Sequence, residues 1–250
     1  MYGSNKYRTR SPKLVVDEIE LCVKEYGIKS IYFDDDTFNI GKKRILELCD
    51  EMKKRGLNLP WAVMARADTA DEEMLIAMKS AGLIAIKYGV ESGNQDIVNA
   101  CKKNLELKKV EQVVKITKKL GINMHLTFTF GLPGETWDTV KETIRFAKKL
   151  NPDTVQFSIT TPFPGSSYFE ELDKKGWLIS KNYTEYDGYN IAVIRTEHLD
   201  NKALESALKL ACKEWDKHKM IRSFLHTKYI KKALLHPIKG YKKAIDLLRA

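Results

Sequence analysis

Charged side chains follow three successive apolar segments of this 250-residue sequence. The segment IYFDDDTF contains Asp34, Asp35 and Asp36, the next segment ends at Arg66, and the third ends at Glu91. Carboxylates accept hydrogen bonds from ammonium or hydroxyl groups, and a guanidinium pairs with oxyanions. These positions predict one shared ligand, and three neighbouring aspartates could also attract a divalent cation. The simpler alternative is a helix cap and solvated carboxylates at the aspartates, with surface ion pairs at Arg66 and Glu91.

Two loops with glycine and proline follow the next two apolar segments. GLPGET, residues 131–136, has two open interpretations: a tight turn with a helix N-cap, or backbone amides at a helix N-terminus that contact a polar ligand. PFPGS, residues 162–166, combines an extended path with a turn at Gly165, and we expect it to cover the mouth of a barrel.

Alternating helix and strand patterns must position these residues. Ser11 and Pro12 predict the start of a first helix, and Gly27 predicts its end. The predicted strands are 30–35, 60–66, 84–91, 123–130 and 154–160. The further predicted helices are 42–55, 71–81, 107–120 and 136–149. Such βα units with right-handed crossovers predict a parallel sheet that curls toward a barrel.

Polar and apolar residues alternate within these predicted strands, although parallel strands covered on both faces are usually apolar throughout. In NMHLTFTF, His125, Thr127 and Thr129 share one parity, and Lys87 shares the parity of Glu91 in the preceding strand. If the apolar parity faces the helices, the inner face is polar. This predicts a lumen for polar ligands, with the site at the C-terminal ends of the strands.

The predicted fold class is α/β, a partial (βα)6-type TIM-like barrel that lacks its first strand and is followed by a helical, basic C-terminal tail. The predicted domains are residues 1–176 for the barrel and residues 177–250 for a mostly helical extension. The helix at Pro12 should follow a strand, yet MYGSNKYRTR is polar and turn-like. We therefore expect an unpaired sheet edge and a Met1 that is internal to a longer protein.

Composition narrows the functional classes. No transmembrane-length apolar run and no signal peptide are present, which predicts a cytoplasmic protein. The widely spaced Cys22, Cys49, Cys101 and Cys212 predict reduced thiols rather than disulfides or metal ligands.

The net charge is +10, and residues 221–250 carry eight basic residues against one acidic residue. A solvated helix face and peripheral contact with the inner membrane face are the open explanations for this tail, whereas nucleic acid is not expected because no recognition motif accompanies the charge.

Five motifs occur in an order that resembles a known family. They are FDDDTF, ARAD, YGVESGNQDIVNACKKN, FTFGLPGET and PFPGSSYFEEL. Over about residues 1 to 180 the chain resembles radical S-adenosylmethionine enzymes, in the branch with an N-terminal cobalamin-binding domain. That branch includes magnesium-protoporphyrin ester cyclases, hopanoid-modifying proteins and cobalamin-dependent methyltransferases.

The resemblance implies cofactor contacts at seven positions: Asp34, Asp35, Asp36, Arg66, Glu91, Gly131 and Pro133. It places the aspartates near the amino group of S-adenosylmethionine, although the parity of Asp35 points away from the lumen. Arg66 corresponds to a contact with the ribose or carboxylate, and Glu91 to a contact with the methionine or ribose part. GLPGET corresponds to the stretch near the adenine.

The resemblance also implies a [4Fe-4S] cluster, whose CxxxCxxC ligands are absent from the sequence and are expected upstream of Met1. Cobalamin is a further expected cofactor of the full-length protein, and the expected partners are a reductant protein and a small-molecule, lipid-like or tetrapyrrole-like substrate. The leading hypothesis is a fragment of a radical enzyme that is inactive without the cluster loop. The alternatives are a non-catalytic ligand-binding or membrane-docking protein and, less well supported by Glu91 and His125 alone, a TIM-barrel hydrolase or isomerase.

Overall fold

The computed structural model describes residues 7–226, which include five strands and eight helices. The chain divides into two compact units, one ending at Leu208 and one beginning at Lys209. The strands are β1 (Ile31–Phe33), β2 (Trp61–Ala65), β3 (Leu83–Glu91), β4 (Asn123–Phe130) and β5 (Thr154–Ile159). The helices are α1 (Pro12–Tyr26), α2 (Lys42–Lys54), α3 (Glu72–Ser80), α4 (Gln95–Ala100), α5 (Leu107–Lys119), α6 (Trp137–Leu150), α7 (Ser167–Lys174) and α8 (Asn201–His226).

The five strands form one parallel sheet in the order β1-β2-β3-β4-β5, so each βα unit adds its strand beside the previous one. This confirms the α/β class and the run of βα units predicted from the sequence. Among the described residues β1 pairs only with β2 and lies at the edge of the sheet.

The apolar parity of each strand forms the core between the sheet and its helices. Tyr88 of β3 and Phe128 of β4 are fully buried, and Val113 of α5 is buried on the helix side. The ring of Phe157 from β5 stacks on Phe128 with centroids 5.7 Å apart. Burial of these large side chains is the main favourable contribution to the fold.

The opposite face of the sheet is polar, as the alternation predicts. Residues on this face pair across the strands in rows: Ala62 with Ala85, Met64 with Lys87 and His125, and Gly89 with Thr127 and Gln156. Their side chains are half-buried, whereas the intervening residues of β2 and β4 are buried. In these rows the polar side chains come from β3, β4 and β5, whereas β2 contributes Ala62 and Met64.

Several element boundaries differ from the predictions. Strand β1 ends at Phe33 rather than at residue 35, and Asp36 lies in a turn. The sequence reasoning did not predict α4 and α7, which are capped by the side chains of Asn94 and Ser166. Between α7 and α8, residues 175–200 contain a short 3-10 helix at Tyr183–Glu185 and an isolated antiparallel bridge between Leu178 and Ile194. Short elements of this kind lack enough periodic positions for a clear sequence signal.

The basic tail lies almost entirely outside the described residues, because the description ends at residue 226. Arg222 is the one basic residue of the predicted tail within it. None of the helices in the described range is both long enough and apolar enough to cross a membrane.

Candidate functional site

A cavity of about 560 Å³ lies at the C-terminal ends of β3, β4 and β5. Glu91, Thr129 and Ser158 line it from the ends of β3, β4 and β5. Phe163, from the PFPGS loop, and Tyr189 also line it. The cavity thus combines polar groups from the strand ends with aromatic groups from later loops, a composition typical of small-molecule sites.

Backbone geometry sets the position of Glu91 at this cavity. Its φ angle is 71°, in the left-handed region that residues other than glycine rarely adopt. The β3-β4 register is also irregular between Gly89 and Glu91. Bulges redirect side chains, and strained non-glycine residues cluster at functional sites. The Glu91 carboxylate accepts a hydrogen bond from the Thr129 hydroxyl at 3.3 Å and forms an ion pair with Lys103.

Lys103 reaches Glu91 from the short connection between α4 and α5. Its Nζ also donates a hydrogen bond to the Gly89 carbonyl oxygen at 3.0 Å. The flanking Lys102 and Asn104 have φ angles of 54° and 52°, so the chain turns sharply on both sides of Lys103. The sequence reasoning did not identify Lys103. The available signal was a lysine inside the quoted segment YGVESGNQDIVNACKKN, but its side-chain direction depends on two left-handed residues that are not glycine.

Arg66 holds this connection rather than lying free at a strand end. Its guanidinium donates two hydrogen bonds to the Asp68 carboxylate, at 2.9 and 2.6 Å, and Nη2 donates a third to the Lys103 carbonyl oxygen at 2.5 Å. The Arg66 backbone exchanges two hydrogen bonds with the buried side chain of Asn39. Arg66 and Glu91, which the sequence predicts to share a site, are therefore joined through Lys103.

Gly89 lies beneath the ion pair and leaves space at the inner face. A Cβ atom at this position would lie 2.8 Å from Lys103 Nζ and 2.9 Å from Glu91 Oε1. The glycine therefore leaves room for both charged groups to lie over the strand.

GLPGET forms the turn and N-cap that one of its two interpretations predicts. Thr136 caps α6 in a reciprocal arrangement with Thr139. The fully buried Glu135 accepts a hydrogen bond from the Gly131 amide at 2.5 Å, and its other oxygen has no hydrogen-bond partner. Burial raises the pKa of Glu135 to about 7, against the lowering effect of the hydrogen bond from the Gly131 amide. The Gly131 amide is thus engaged by its own loop, and neither Gly131 nor Pro133 lines the 560 Å³ cavity.

Cys101 lies beside the ion pair and also lines the cavity. Burial, together with the negative charges of Glu91 and Glu135, raises the pKa of its thiol to about 11. The thiol is therefore protonated at neutral pH and is a weak nucleophile there.

The three aspartates lie in a different place. Asp34 and Asp35 line a groove of about 440 Å³ together with Arg8, Arg10 and Arg44. Asp34 and Asp36 are solvent-exposed. The structure therefore joins Arg66 to Glu91 through Lys103, but of the seven predicted contact residues only Glu91 lines the 560 Å³ cavity.

Comparison with known proteins identifies the family of this chain. The model of the radical SAM superfamily matches residues 2–147. The chain belongs to the radical SAM superfamily. An uncharacterized methyltransferase of Pyrococcus horikoshii is 33% identical over 206 residues, which cover 82% of this chain and 45% of that protein. The anaerobic magnesium-protoporphyrin IX monomethyl ester cyclase of Rubrivivax gelatinosus is 34% identical over 171 residues, which cover 68% of this chain and 31% of that enzyme.

A solved structure shares the fold. It is the radical S-adenosylmethionine methyltransferase TsrM from Kitasatospora setae, which contains cobalamin and a [4Fe-4S] cluster. The TM-score is 0.63 at 22% identity, over 69% of this chain and 33% of that one. This radical SAM chain thus has the fold that the resemblance implies, and it spans less than half the length of the curated relatives described above.

Superfamily membership implies S-adenosylmethionine and a [4Fe-4S] cluster as cofactors. The inner face fits S-adenosylmethionine, because the cavity at the strand ends is lined by the charged and hydroxyl side chains of Glu91, Lys103 and Thr129. The described residues do not fit the cluster: within residues 7–226, no three His, Cys, Asp or Glu side chains converge in a way that could hold a metal. We therefore assign no cluster ligand to this range.

Proposed function

We propose that the cavity at Glu91 binds S-adenosylmethionine, and that the intact protein is a radical enzyme that methylates or cyclises a small molecule. The observation that carries this proposal is the Glu91–Lys103 ion pair at the cavity of a radical SAM chain. A zwitterionic amino acid group is complementary to neighbouring negative and positive side chains. When bound, S-adenosylmethionine supplies a methyl group or a 5'-deoxyadenosyl radical.

Each residue around the ion pair has a proposed role. The Glu91 carboxylate would accept hydrogen bonds from the ammonium group or ribose hydroxyls, and Lys103 would donate to the carboxylate. Arg66 would act as a positioning residue, because it holds the Lys103 backbone through its bonds to Asp68 and Lys103. The aspartates, Gly131 and Pro133 remain proposed contacts with the amino group and the adenine, from outside the 560 Å³ cavity.

The relatives and the aromatic lining of the cavity support a tetrapyrrole-like or lipid-like substrate. The Rubrivivax gelatinosus relative is a cyclase of a magnesium-protoporphyrin ester, and other relatives are methyltransferases. Phe163, Tyr186 and Tyr189 give the cavity aromatic surfaces that would pack against a tetrapyrrole-like or lipid-like substrate. TsrM binds cobalamin, which supports cobalamin as a further cofactor of the intact protein, with a reductant protein as the partner that supplies electrons.

Binding of S-adenosylmethionine to the intact, cluster-loaded protein tests this proposal by anaerobic equilibrium dialysis. We expect Glu91→Gln to weaken binding roughly 10- to 100-fold, because hydrogen bonds to charged groups contribute about 1.5–3 kcal/mol. Lys103→Met should weaken it similarly, whereas Lys54→Ala, an exposed α2 substitution, should have no effect.

A double variant separates binding from folding. Glu91→Gln with Lys103→Met removes both charges and leaves no unpaired ion at the cavity. Wild-type affinity in this variant would contradict the proposal, and unchanged thermal stability with lost affinity would support it.

A further inference from the structure

A second cavity, of about 460 Å³, lies on the same inner face toward the N-terminal ends of the strands. Its inner-face lining comes from four strands and the start of β5: Tyr32, Ala62, Ala85, Lys87, His125 and Thr154. The two cavities share no lining residue, although both open from one polar face.

Strand register explains why this cavity exists. Ala62 pairs with Ala85, so the row nearest the N-terminal ends has small side chains at its centre. The next row places Lys87 beside His125, and His125 beside Thr154. Small residues in one row therefore leave space directly beneath the polar residues of the next.

Lys87 differs from Lys103 in its surroundings. Lys103 is paired with Glu91, whereas Lys87 forms no ion pair with any acidic residue in the described part of the chain. Lys87 is only half-exposed, and desolvation of an uncompensated ammonium group is unfavourable. The acidic residue at this cavity, Asp153, accepts a hydrogen bond from the Met124 amide at 2.7 Å. The Lys87 side chain is therefore a cation without a counterion.

His125 and Thr154 add groups that can hydrogen-bond beside this cation. His125 Nδ1 is 2.8 Å from the Thr154 hydroxyl, which orients the ring. Burial and the Lys87 charge lower the pKa of His125, which favours the neutral form of the ring. A second positive charge beside Lys87 is thereby disfavoured.

We propose that Lys87, with the Thr154 hydroxyl that His125 holds nearby, binds an oxyanion of the substrate, a carboxylate or a phosphate. Lys87 and Glu91 are four residues apart on β3, which is roughly 13 Å along a strand. A substrate anchored at Lys87 would extend toward the cavity of Glu91. This inference rests on the proposed function only in assigning the oxyanion to the substrate of that site.

Titration calorimetry of the intact protein with inorganic phosphate and with succinate tests the oxyanion site. We expect saturable binding of at least one probe, weakened about tenfold or more by Lys87→Met and retained by Lys87→Arg. Lys115→Met is the matched control, because Lys115 is exposed on α5, and it should retain wild-type affinity. Binding of phosphate alone would assign a phosphate, and binding of succinate alone a carboxylate.

Two results of this titration would contradict the oxyanion site. Absence of saturable binding of both probes, or equal affinity in wild type and Lys87→Met, would overturn the oxyanion site. Methionine keeps the length of the lysine stem and removes an uncompensated charge, so thermal stability should not fall.

S-adenosylmethionine binding by the same variants separates this inference from the proposed function. Lys87→Met should leave that affinity unchanged. A loss there would instead assign Lys87 to the cofactor and overturn the substrate site. A wild-type protein that binds phosphate or succinate through Lys87 but not S-adenosylmethionine would contradict the proposed function alone.

Discussion

The acidic strand ends of β1 and β3 differ in what the following chain does. After β1, Asp34 and Asp36 are exposed, and the chain turns away into α2. After β3, the chain makes α4 and returns Lys103 to Glu91, which is held in a left-handed conformation. Similar residues at similar strand positions thus have different surroundings, because only the second connection brings a cation back over the strand. A carboxylate with fixed partners is better preorganised for a ligand than a solvated one.

Among the acidic residues that follow or end a strand, the largest effect of a substitution is expected at Glu135. This carboxyl group follows β4 and is fully buried. Its pKa is about 4.5 in the unfolded chain and about 7 in the folded protein, so its ionisation opposes folding. Stability should fall as pH rises from 4.5 to 7 and remain lowered above that. Glu135→Gln should remove this dependence, so that the stability of the variant relative to wild type rises by roughly 2–3 kcal/mol between pH 5 and pH 8.

Denaturant unfolding at pH 5 and pH 8 measures this difference. Glu25→Gln, at an exposed position of α1, is the control and should show no such pH-dependent gain. An equal effect of both substitutions at pH 8 would contradict the assigned cost of burying Glu135.

A smaller effect is expected at Gly89. An alanine Cβ would displace the ends of Lys103 and Glu91, which are flexible, so S-adenosylmethionine affinity should fall about fivefold with little change in stability. Gly93→Ala is the contrasting variant, because its Cβ would lie 2.7 Å from the Thr143 Cα and 2.9 Å from the Glu142 carbonyl oxygen. It should lower the melting temperature instead, and the reverse pattern would contradict the role of Gly89.

The smallest effect is expected at Asp34. Because this carboxylate is exposed and outside the cavity of Glu91, Asp34→Ala should weaken S-adenosylmethionine binding only about twofold. Lys54→Ala should not change it. A loss as large as that of Glu91→Gln would remove the distinction between the two strand ends.

Much of the fold was predictable from the sequence because long strands and helices carry a periodic pattern. The alternation in NMHLTFTF predicts both the burial of Phe128 and the inner position of His125, and both are observed. Positions at the ends of elements were less predictable. The expected strand through residue 35 stops at Phe33, since pairing with β2 covers only three residues.

The candidate site was predictable only in part. Arg66 and Glu91 stand at strand ends, and parallel strands bring such ends together. Lys103 was missed because its position depends on the turn around Lys102 and Asn104, whose left-handed conformations are not favoured by their residue types.

The sequence by itself determined the order of βα units, the polar inner face and the family, because these depend on periodicity and on motif order along the chain. Tertiary structure alone decided which charges meet: Lys103 with Glu91, Arg66 with Asp68, and Lys87 with no carboxylate in the described range. The physical reason is that an ion pair depends on distances of a few ångströms between side-chain atoms. Those distances are set by loop conformation and strand register rather than by local residue preference.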